Sequence, residues 1–285
     1  MTHPALTPGR AAVITGAASG IGLAAARHFA ALGMAVCMAD VDAEALHREA
    51  AGLAATGADV RAVVTDVSDP AQVAALREQA VARWGGVALL MSNAGREGGG
   101  SLSAPAERWR QTIDTNLFGT LNAVQAFVPG MVAAGHPAAV VVTGSKQGIT
   151  TPPGDTAYNV SKAGVKALTE ALAHDLLGTP VTAHLLIPGF TYTGFTRVRG
   201  VTEKPDAAWT AEQVVDELRR GMDAGSFYIL CPDNQTSRAM DARRIAWAAG
   251  DLIAGRPALS RWHPDYGAAF AAYMDAQEIA FPPPS

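Results

Sequence analysis

Tyr158 and Lys162 stand four residues apart within a helical pattern at 156–177. Because an α-helix turns once in about 3.6 residues, their side chains share one face of the predicted helix. An ammonium within ~4–6 Å of a phenol favours the phenolate and lowers the pKa of the phenol toward the neutral range. Such a pair could also be solvated and inert, but Ser145 lies thirteen residues before the tyrosine, beyond a predicted strand. Together the three groups could move a proton on and off a substrate oxygen.

A glycine-rich turn near the start of the chain carries a second chemical signal. The apolar run 11–15 predicts a buried parallel strand, and an Ala-rich helical pattern follows the turn as far as Gly33. Between strand and helix lie Gly16, Ser19, Gly20, Ile21 and Gly22. Glycines let the backbone approach a pyrophosphate, and the free N–H groups and dipole of the helix N-terminus stabilise its charge. The order predicts a dinucleotide phosphate site, although the spacing is not the usual G-x-G-x-x-G and an ordinary tight turn is the alternative.

Asp40 ends a second apolar run, 34–39, about 20 residues beyond the glycine turn. An acid at this position can accept hydrogen bonds from an adenosine ribose, and it would repel a 2′-phosphate. Neither the turn nor the pair Val41 and Asp42 contains an Arg or Lys that could bind such a phosphate. A helix N-cap is the alternative role for Asp40, because Asp42 and Glu44 follow it. With the turn upstream, the sequence favours NAD over NADP as cofactor.

Strands and helices alternate along the chain. Apolar runs predict seven strands, at 11–15, 34–39, 60–65, 87–92, 138–143, 181–187 and 226–230. Helical patterns between them predict an α/β fold with a doubly wound, Rossmann-like parallel sheet. Helical patterns at 236–254 and 264–279 predict a C-terminal helical extension from about residue 232. No repeat or linker marks a boundary, so residues 1–285 are predicted to form one domain.

The bulk properties exclude several classes of function. A net charge of −4 gives no basic surface for nucleic acid or an anionic membrane. We expect neither a signal peptide nor a spanning helix, because no apolar run is long enough. The two cysteines, Cys37 and Cys231, and the seven histidines show no metal-ligand spacing, so no metal site is predicted. These features predict a cytoplasmic protein that acts on a small molecule.

Two short motifs follow predicted strands. Asn93, Ala94 and Gly95 come after the fourth strand, and Pro188 and Gly189 come after the sixth. With the glycine turn and the tyrosine–lysine pair, they resemble the motifs of the short-chain dehydrogenase/reductase family, in its commonest subgroup. The match runs from about residue 10 to residue 196. The resemblance implies a catalytic tetrad of Asn116, Ser145, Tyr158 and Lys162.

The resemblance also implies a role for each member of this tetrad. Tyr158 is the general acid/base on the substrate oxygen, and Lys162 lowers the pKa of Tyr158 and hydrogen-bonds the nicotinamide ribose. Ser145 hydrogen-bonds the substrate oxygen and stabilises its developing charge. Asn116 holds a water that extends a proton relay from Lys162. The implied reaction is hydride transfer between a secondary alcohol or ketone and the nicotinamide.

For the cofactor, the resemblance implies adenine contacts from Asp66 and Val67. Pro188 and Gly189, with Thr193 four residues later, match the motif that contacts the nicotinamide carboxamide. The predicted cofactor-binding set is Gly16, Ser19, Gly20, Ile21, Gly22, Asp40, Asp66, Val67, Asn93, Ala94, Gly95, Tyr158, Lys162, Pro188, Gly189, Thr191 and Thr193.

The substrate is the least specified feature. Aromatic residues after the sixth strand, together with Gln147, predict a hydrophobic pocket for an aromatic or alicyclic alcohol or ketone. The pocket candidates are Gln147, Phe190, Tyr192 and Phe195, with Trp209 further along the same loop. Core or hinge packing explains these aromatic residues equally well. Three glycines at 98–100 predict a second, mobile loop near the site.

Two departures from the family pattern bear on assembly. Ser92 replaces the first Asn of the usual Asn-Asn-Ala-Gly motif, and 231–234 (Cys-Pro-Asp-Asn) replace the usual glycine-rich ending. The family implies a homo-oligomer, a dimer or tetramer, to which the extension could contribute an interface or a cover for the site. Two other functions stay open: an NADP-dependent carbonyl reductase, and a non-catalytic dinucleotide-sensing protein on the same fold.

Overall fold

A computed structural model describes residues 2–194 and 202–276. Its strands form a single parallel sheet in the order β3-β2-β1-β4-β5-β6-β7. The strands are β1 Ala11–Thr15, β2 Ala35–Asp40, β3 Val60–Val64, β4 Leu89–Ser92, β5 Ala138–Thr143, β6 Val181–Ile187 and β7 Tyr228–Leu230. The strand order reverses between β1 and β4, and in such sheets ligands bind outside the carboxyl ends of the strands at this point. The predicted doubly wound parallel sheet is confirmed.

Helices cover both faces of the sheet. They are α1 Gly20–Ala31, α2 Ala43–Ala54, α3 Pro70–Trp84, α4 Ala106–Ile113, α5 Gly119–Ala133, α6 Gln147–Thr150, α7 Thr156–Asp175, α8 Ala211–Asp223, α9 Arg238–Ala254 and α10 Gly267–Asp275. Helices α1, α2 and α8 pack on one face, and α3, α5 and α7 pack on the other. Within the described residues, no helix is long and apolar enough to cross a lipid bilayer.

Two hydrophobic cores lie on either side of the sheet, because successive residues of a strand point to opposite faces. In β1, Ile14 enters the core with α1 and α8, whereas Val13 enters the core with α3 and α5. Cys37 of β2 is fully buried in the second core, as its position in an apolar run predicts. Strands buried on both faces explain why they appear in the sequence as unbroken apolar runs.

The largest difference from the predicted helices lies between α4 and α5. Separate helical patterns at about 106–117 and 120–134 predict two helices with a break between them. Instead, a π-helical turn, Asp114–Phe118, joins the two helices. Gly119 follows it and packs closely against the loop after β3: a Cβ there would lie 2.6 Å from Cγ2 of Val67. The wider turn places Asn116 fully inside the protein.

The described part of the C-terminal extension, up to residue 276, contains α9, two 3₁₀ turns and α10. Ser237 caps α9 by accepting the N–H of Met240, so this helix begins two residues later than predicted. The indole of Trp247 in α9 donates to Oγ of Ser260 (2.8 Å), and the Arg256 guanidinium lies 4.1 Å from its ring centroid. The helix predicted over 264–279 is instead a 3₁₀ turn followed by α10, which ends at Asp275.

Candidate active site

The glycine turn after β1 leaves little room for a side chain at any of its three glycines. Gly16 and Gly20 adopt the left-handed φ values +66° and +53°. A Cβ on Gly22 would lie 2.1 Å from the carbonyl oxygen of Gly16, so α1 packs directly on the turn. Ser19 is the N-cap of α1, and its side chain makes no capping hydrogen bond. Because helix N-termini carry N–H groups without intrahelical partners, this turn fits a dinucleotide phosphate.

Thr15 and Asn93 hold the ends of the central strands together. Oγ1 of Thr15 accepts the N–H groups of Asn93 (3.0 Å) and Ala94 (3.1 Å). The Asn93 amide donates to the carbonyl of Thr15 (3.1 Å) and accepts from the hydroxyl of Thr143 (3.1 Å). Thr15 was not among the predicted site residues, and its signal is a polar residue ending an otherwise apolar strand. The predicted motif residues Asn93 and Ala94 therefore lie beside the glycine turn.

Asp40 lies at the end of β2 next to the same turn. Its Oδ2 accepts the N–H of Ala18 (2.9 Å), and its Oδ1 accepts the N–H of Asp42 (3.1 Å). The N-cap of α2 is Asp42, whose carboxylate accepts the N–H of Ala45 (3.0 Å). The alternative role of Asp40 as a helix N-cap is thus wrong. A ribose contact from this carboxylate stays a prediction.

Asp66 and Val67 follow β3 at the same edge of the sheet. The Asp66 carboxylate accepts both the N–H (2.9 Å) and the hydroxyl (2.7 Å) of Ser68. Val67 is buried, and its carbonyl accepts the side-chain amide of Asn122 (2.9 Å). These bonds give the loop a defined shape, and the predicted adenine contacts stay predictions.

Tyr158 and Lys162 are both buried on one face of α7, at 8% and 5% exposure. The Lys162 Nζ lies 5.8 Å from the centroid of the Tyr158 ring. It donates to the carbonyl of Thr143 (2.7 Å), the last residue of β5. Burial lowers the pKa of Lys162 to about 8, and the carboxylate of Glu97 opposes this shift. The predicted pair is therefore brought together in a largely dehydrated setting, where charge interactions are strong.

Ser145 lies two residues beyond β5, on the same side of the sheet as this pair. Its Oγ accepts the N–H of Gln147 (3.2 Å), the first residue of the short helix α6. Sequence patterns missed α6, which has only four residues. Gly148 lies against the backbone of α7: a Cβ there would be 2.5 Å from the carbonyl carbon of Lys162. Close packing of α6 on α7 therefore connects the Ser145 loop to the lysine.

Asn116 uses its side chain to connect the loop after β4 to α7. Its Oδ1 accepts the N–H of Arg96 (2.8 Å), and its Nδ2 donates to the carbonyl of Arg96 (2.9 Å) and to Ser161 Oγ (2.9 Å). A Cβ on Gly95 would lie 3.3 Å from Asn116 Oδ1 and 3.7 Å from Lys162 Nζ. The structure brings these three predicted residues together. The water-holding role of Asn116 stays a prediction.

Asp155 is a functional candidate that the sequence patterns did not identify. Its carboxylate caps α7 at the N–H of Tyr158 (3.3 Å) and also accepts the N–H groups of Gly98 (2.7 Å) and Gly100 (2.9 Å). Gly99, between these two amides, packs against α7, since a Cβ there would lie 2.4 Å from Cβ of Ala157. The glycine loop predicted to be mobile is thus anchored at two amides. An acid just before a predicted helix is the signal that could have identified Asp155.

The loop after β6 reaches back toward the glycine turn. A Cβ on Gly20 would lie 3.1 Å from Cβ of Thr193, so this predicted residue borders the phosphate turn. The Thr191 hydroxyl donates to the carbonyl of Gly189 (3.1 Å), which follows Pro188 at the end of β6. These contacts place the four predicted cofactor residues of this loop at the carboxyl edge of the sheet.

The predicted substrate residues divide into four groups. Trp209 packs against the core with α1 and exchanges backbone hydrogen bonds with Phe190 and Tyr192 (both 2.9 Å), so it has a structural contact beside any role in the pocket. The rings of Phe190 and Tyr192 are partly exposed, and the Tyr192 hydroxyl donates to the carbonyl of Thr202 (2.8 Å). Gln147 is half-buried in α6, beside Ser145. The fourth candidate, Phe195, lies outside the described residues.

A parallel sheet with a glycine turn at its switch point and a buried tyrosine–lysine pair is the arrangement expected of a dinucleotide-dependent oxidoreductase. A family model described as short chain dehydrogenase matches residues 10–204. The chain therefore belongs to the short-chain dehydrogenase/reductase family, as the motifs predict. Relatives and neighbours include enzymes named for alcohol and ketone redox reactions and structures with bound nicotinamide dinucleotides.

Three comparisons illustrate the range of these similarities. A 1-deoxy-11-beta-hydroxypentalenate dehydrogenase from Streptomyces exfoliatus is 37% identical over 260 residues, 89% of this chain and 94% of the relative. A Burkholderia phymatum short-chain dehydrogenase/reductase in complex with NAD is 34% identical with a TM-score of 0.81, over 88% of this chain and 96% of that one. A variant actinorhodin polyketide ketoreductase with NADPH is 27% identical, with a TM-score of 0.71, over 77% of this chain and 94% of that one.

Proposed function

We propose that this protein is an NAD-dependent oxidoreductase that interconverts a secondary alcohol and a ketone, with Tyr158 as the general acid/base. The observation that supports this most is the burial of Tyr158 beside Lys162, whose Nζ lies 5.8 Å from the ring centroid. The pair stands at the carboxyl edge of a sheet whose glycine turn fits a dinucleotide phosphate.

Each side chain has a task in this reaction. A bound nicotinamide dinucleotide accepts or supplies the hydride. In the oxidative direction Tyr158 takes the proton of the substrate hydroxyl, and the nearby Lys162 ammonium stabilises the phenolate that accepts it. Ser145 donates a hydrogen bond to the same substrate oxygen as its charge develops. In the reductive direction the proton moves the other way, from Tyr158 to the oxygen of the ketone.

Asp40 is our reason for preferring NAD. Its carboxylate is held at the end of β2 by the N–H of Ala18, a residue of the phosphate turn (2.9 Å). A fixed negative charge beside the turn accepts hydrogen bonds from a ribose and repels a 2′-phosphate. No Arg or Lys stands at residues 16–22 or 41–42 to counter that repulsion.

We further propose a hydrophobic, alicyclic or aromatic substrate. The partly exposed rings of Phe190 and Tyr192 support this class, and the half-buried Gln147 provides a polar group near Ser145. The relative from Streptomyces exfoliatus carries the name of a hydroxypentalenate dehydrogenase, which is consistent with a bulky substrate. From the family we also expect a homo-oligomer in the cytoplasm.

The test is cofactor-resolved turnover. Purified protein is assayed with secondary alcohols and NAD or NADP, and with ketones and the reduced cofactors, by nicotinamide absorbance. We expect turnover with NAD, and a loss of roughly 10²–10⁴-fold in Tyr158→Phe with NADH binding retained. Tyr228→Phe is the matched control, because that hydroxyl contacts Glu170 away from the site.

Other outcomes separate the alternatives. A fully active Tyr158→Phe enzyme would refute the proposed mechanism. A wild-type preference for NADPH would contradict the role of Asp40, whereas a shift of Asp40→Ala from NADH toward NADPH would support it. Tight NADH binding with no turnover on either panel would favour the dinucleotide-sensing protein.

A further inference from the structure

The residue after Ser145 is a lysine that meets the C-terminal extension. The Lys146 Nζ lies 2.6 Å from Oδ2 of Asp241 in α9 and 3.6 Å from Oδ2 of Asp233, which follows β7. Asp241 is only 3% exposed, and the Lys146 and Asp233 side chains are largely covered as well. This ionic cluster therefore connects α9 to a residue directly beside a proposed catalytic serine.

The same cluster contacts the loop after β6. Oδ2 of Asp233 accepts the N–H of Phe190 (3.3 Å), one residue beyond Gly189. A Cβ on Gly189 would lie 2.9 Å from Lys146 Nζ and 3.0 Å from Asp233 Oδ2, so its backbone packs on the ion pair. The other oxygen, Oδ1, accepts the N–H groups of Gln235 (3.1 Å) and Thr236 (2.7 Å). Asp233 thereby fixes the loop after β7, to which it belongs, against the loop after β6, which contains Pro188 and Gly189.

Burial and neighbouring charges shift the pKa values of the two carboxyl groups of the cluster in opposite directions. Burial raises the pKa of Asp241, and the adjacent Lys146 ammonium opposes that rise. Burial acts on Asp233 in the same way, but Lys146 and three backbone N–H groups together hold its pKa below the usual range. Arg244 and Arg261 line a cavity of about 50 Å³ beside Lys146 and add positive charge near Asp241. Removing Asp241 would leave Lys146 with only the more distant Asp233 carboxylate (3.6 Å), and removing Lys146 would deprive both carboxylates of their shared ammonium.

We propose that Lys146, Asp233 and Asp241 are positioning residues, through which the C-terminal extension fixes the Ser145 loop and the Pro188–Gly189 loop. The extension stands where the family subgroup has a glycine-rich ending, and Asp233 belongs to the residues that replace it. The role in turnover rests on the proposed function, since it acts through Ser145 and through the loop expected at the nicotinamide. A displacement of about 1 Å in such loops can cost roughly 10²-fold in rate.

The test compares Asp241→Asn with Asp251→Asn in the same helix. Asp251 pairs with Arg256 (2.8 Å) and accepts from Ser260 within the extension, and it contacts neither loop. Amide hydrogen exchange is followed by mass spectrometry in peptides covering 144–152 and 187–194. We expect both peptides to exchange several-fold faster in Asp241→Asn than in wild type, while peptides over 11–33 and α7 stay unchanged. In Asp251→Asn the faster exchange should be confined to residues 238–262.

Kinetics then separate positioning from general stability. We expect Asp241→Asn to lower kcat by roughly ten- to a hundred-fold, with the NADH dissociation constant within threefold of wild type. Lys146→Met should have a similar effect, and the double variant should be no worse than Lys146→Met alone, because residues acting as a unit are not additive.

The proposal would be overturned if the peptides 144–152 and 187–194 exchanged their amide hydrogens at the same rate in Asp241→Asn and in Asp251→Asn. So would an Asp241→Asn enzyme with wild-type kcat. Hydrogen exchange tests the cluster independently of turnover. Wild-type protein that turns over none of the alcohols or ketones would therefore refute the proposed function but not the positioning role of the cluster.

Discussion

Gly148 offers a sharp test of how the proposed site is assembled, because α6 meets the backbone of α7 at this residue. A Cβ at Gly148 would lie 2.5 Å from the carbonyl carbon of Lys162, against an ordinary contact of at least 3.4 Å. The Gly148→Ala substitution therefore requires α6 and α7 to separate by about 0.9 Å at this point. The three nearest atoms, the carbonyl carbon and oxygen of Lys162 and the nitrogen of Ala163, all belong to the backbone, so no side chain can rotate to relieve the overlap.

A separation of this size would act on stability and on turnover together. Overpacking of a dense interior costs about 1–3 kcal/mol, which would lower the melting temperature by a few degrees in a chain of 285 residues. A misplacement near 1 Å between Ser145 and Lys162 is expected to lower kcat by roughly 10²-fold. Dinucleotide binding should change little, because the glycine turn after β1 lies elsewhere on the sheet edge.

The assay measures kcat, the NADH dissociation constant and the melting temperature of Gly148→Ala. Gly52→Ala is the matched control, since Gly52 lies in α2 with open space around a Cβ. Alanine there should raise stability by about 0.5–1 kcal/mol and leave turnover unchanged. A Gly148→Ala enzyme with wild-type kcat would refute the inference that close packing of α6 on α7 sets the geometry.

Three further predictions address the cofactor turn, the start of α7 and a buried histidine pair. Gly22→Ala should abolish NADH binding, measured by fluorescence titration, because its Cβ would lie 2.1 Å from a backbone oxygen; retained affinity would contradict the tight turn. Asp155→Ala removes a helix cap and two loop contacts, so we expect a loss of at least about 1–2 kcal/mol in chemical denaturation, and an unchanged midpoint would count against this role. Burial lowers the pKa of both His3 and His184, so the unfolded chain binds protons more readily. Their contribution to stability is present above about pH 6.5 and is lost as the pH falls below it, so His184→Asn should flatten the dependence of the melting temperature between pH 7 and pH 5.

Local patterns in the sequence predict the strands and the chemistry of the sheet edge well. The run 11–15 matches β1 residue for residue, because a strand buried on both faces is apolar along most of its length and a glycine follows it. Tyr158 and Lys162 lie in one helix, so their relative positions follow from helix geometry alone and can be predicted from the sequence. The same holds for Asp40, whose position depends only on the length of one strand–turn–helix–strand unit.

What the sequence could not predict depends on contacts between distant segments. The π-helical turn at Asp114–Phe118 has no periodic signature, because it follows from packing Asn116 and Gly119 against neighbouring loops. Trp209 is an aromatic residue in a predicted pocket, yet the fold leaves it half-buried and packed against the core with α1. Lys146 and Asp241 are ninety-five positions apart, and no pattern along the chain relates them.

The two sides of the proposed site are supported by different physical means. On the cofactor side, backbone contacts such as Gly22 on Gly16 and the uncharged bond from Asn93 to Thr15 hold the turn, and the Asp40 carboxylate adds one charged contact, to the N–H of Ala18. On the Ser145 side, buried charges hold the loops, and Asp241 reaches them from an extension outside the sheet. Removing a buried charge disturbs its surroundings locally, whereas the backbone contacts of β1 and β4 stay intact. Substitutions in the extension should therefore lower kcat more than they weaken dinucleotide binding. Substitutions in the glycine turn should weaken dinucleotide binding more than they lower kcat.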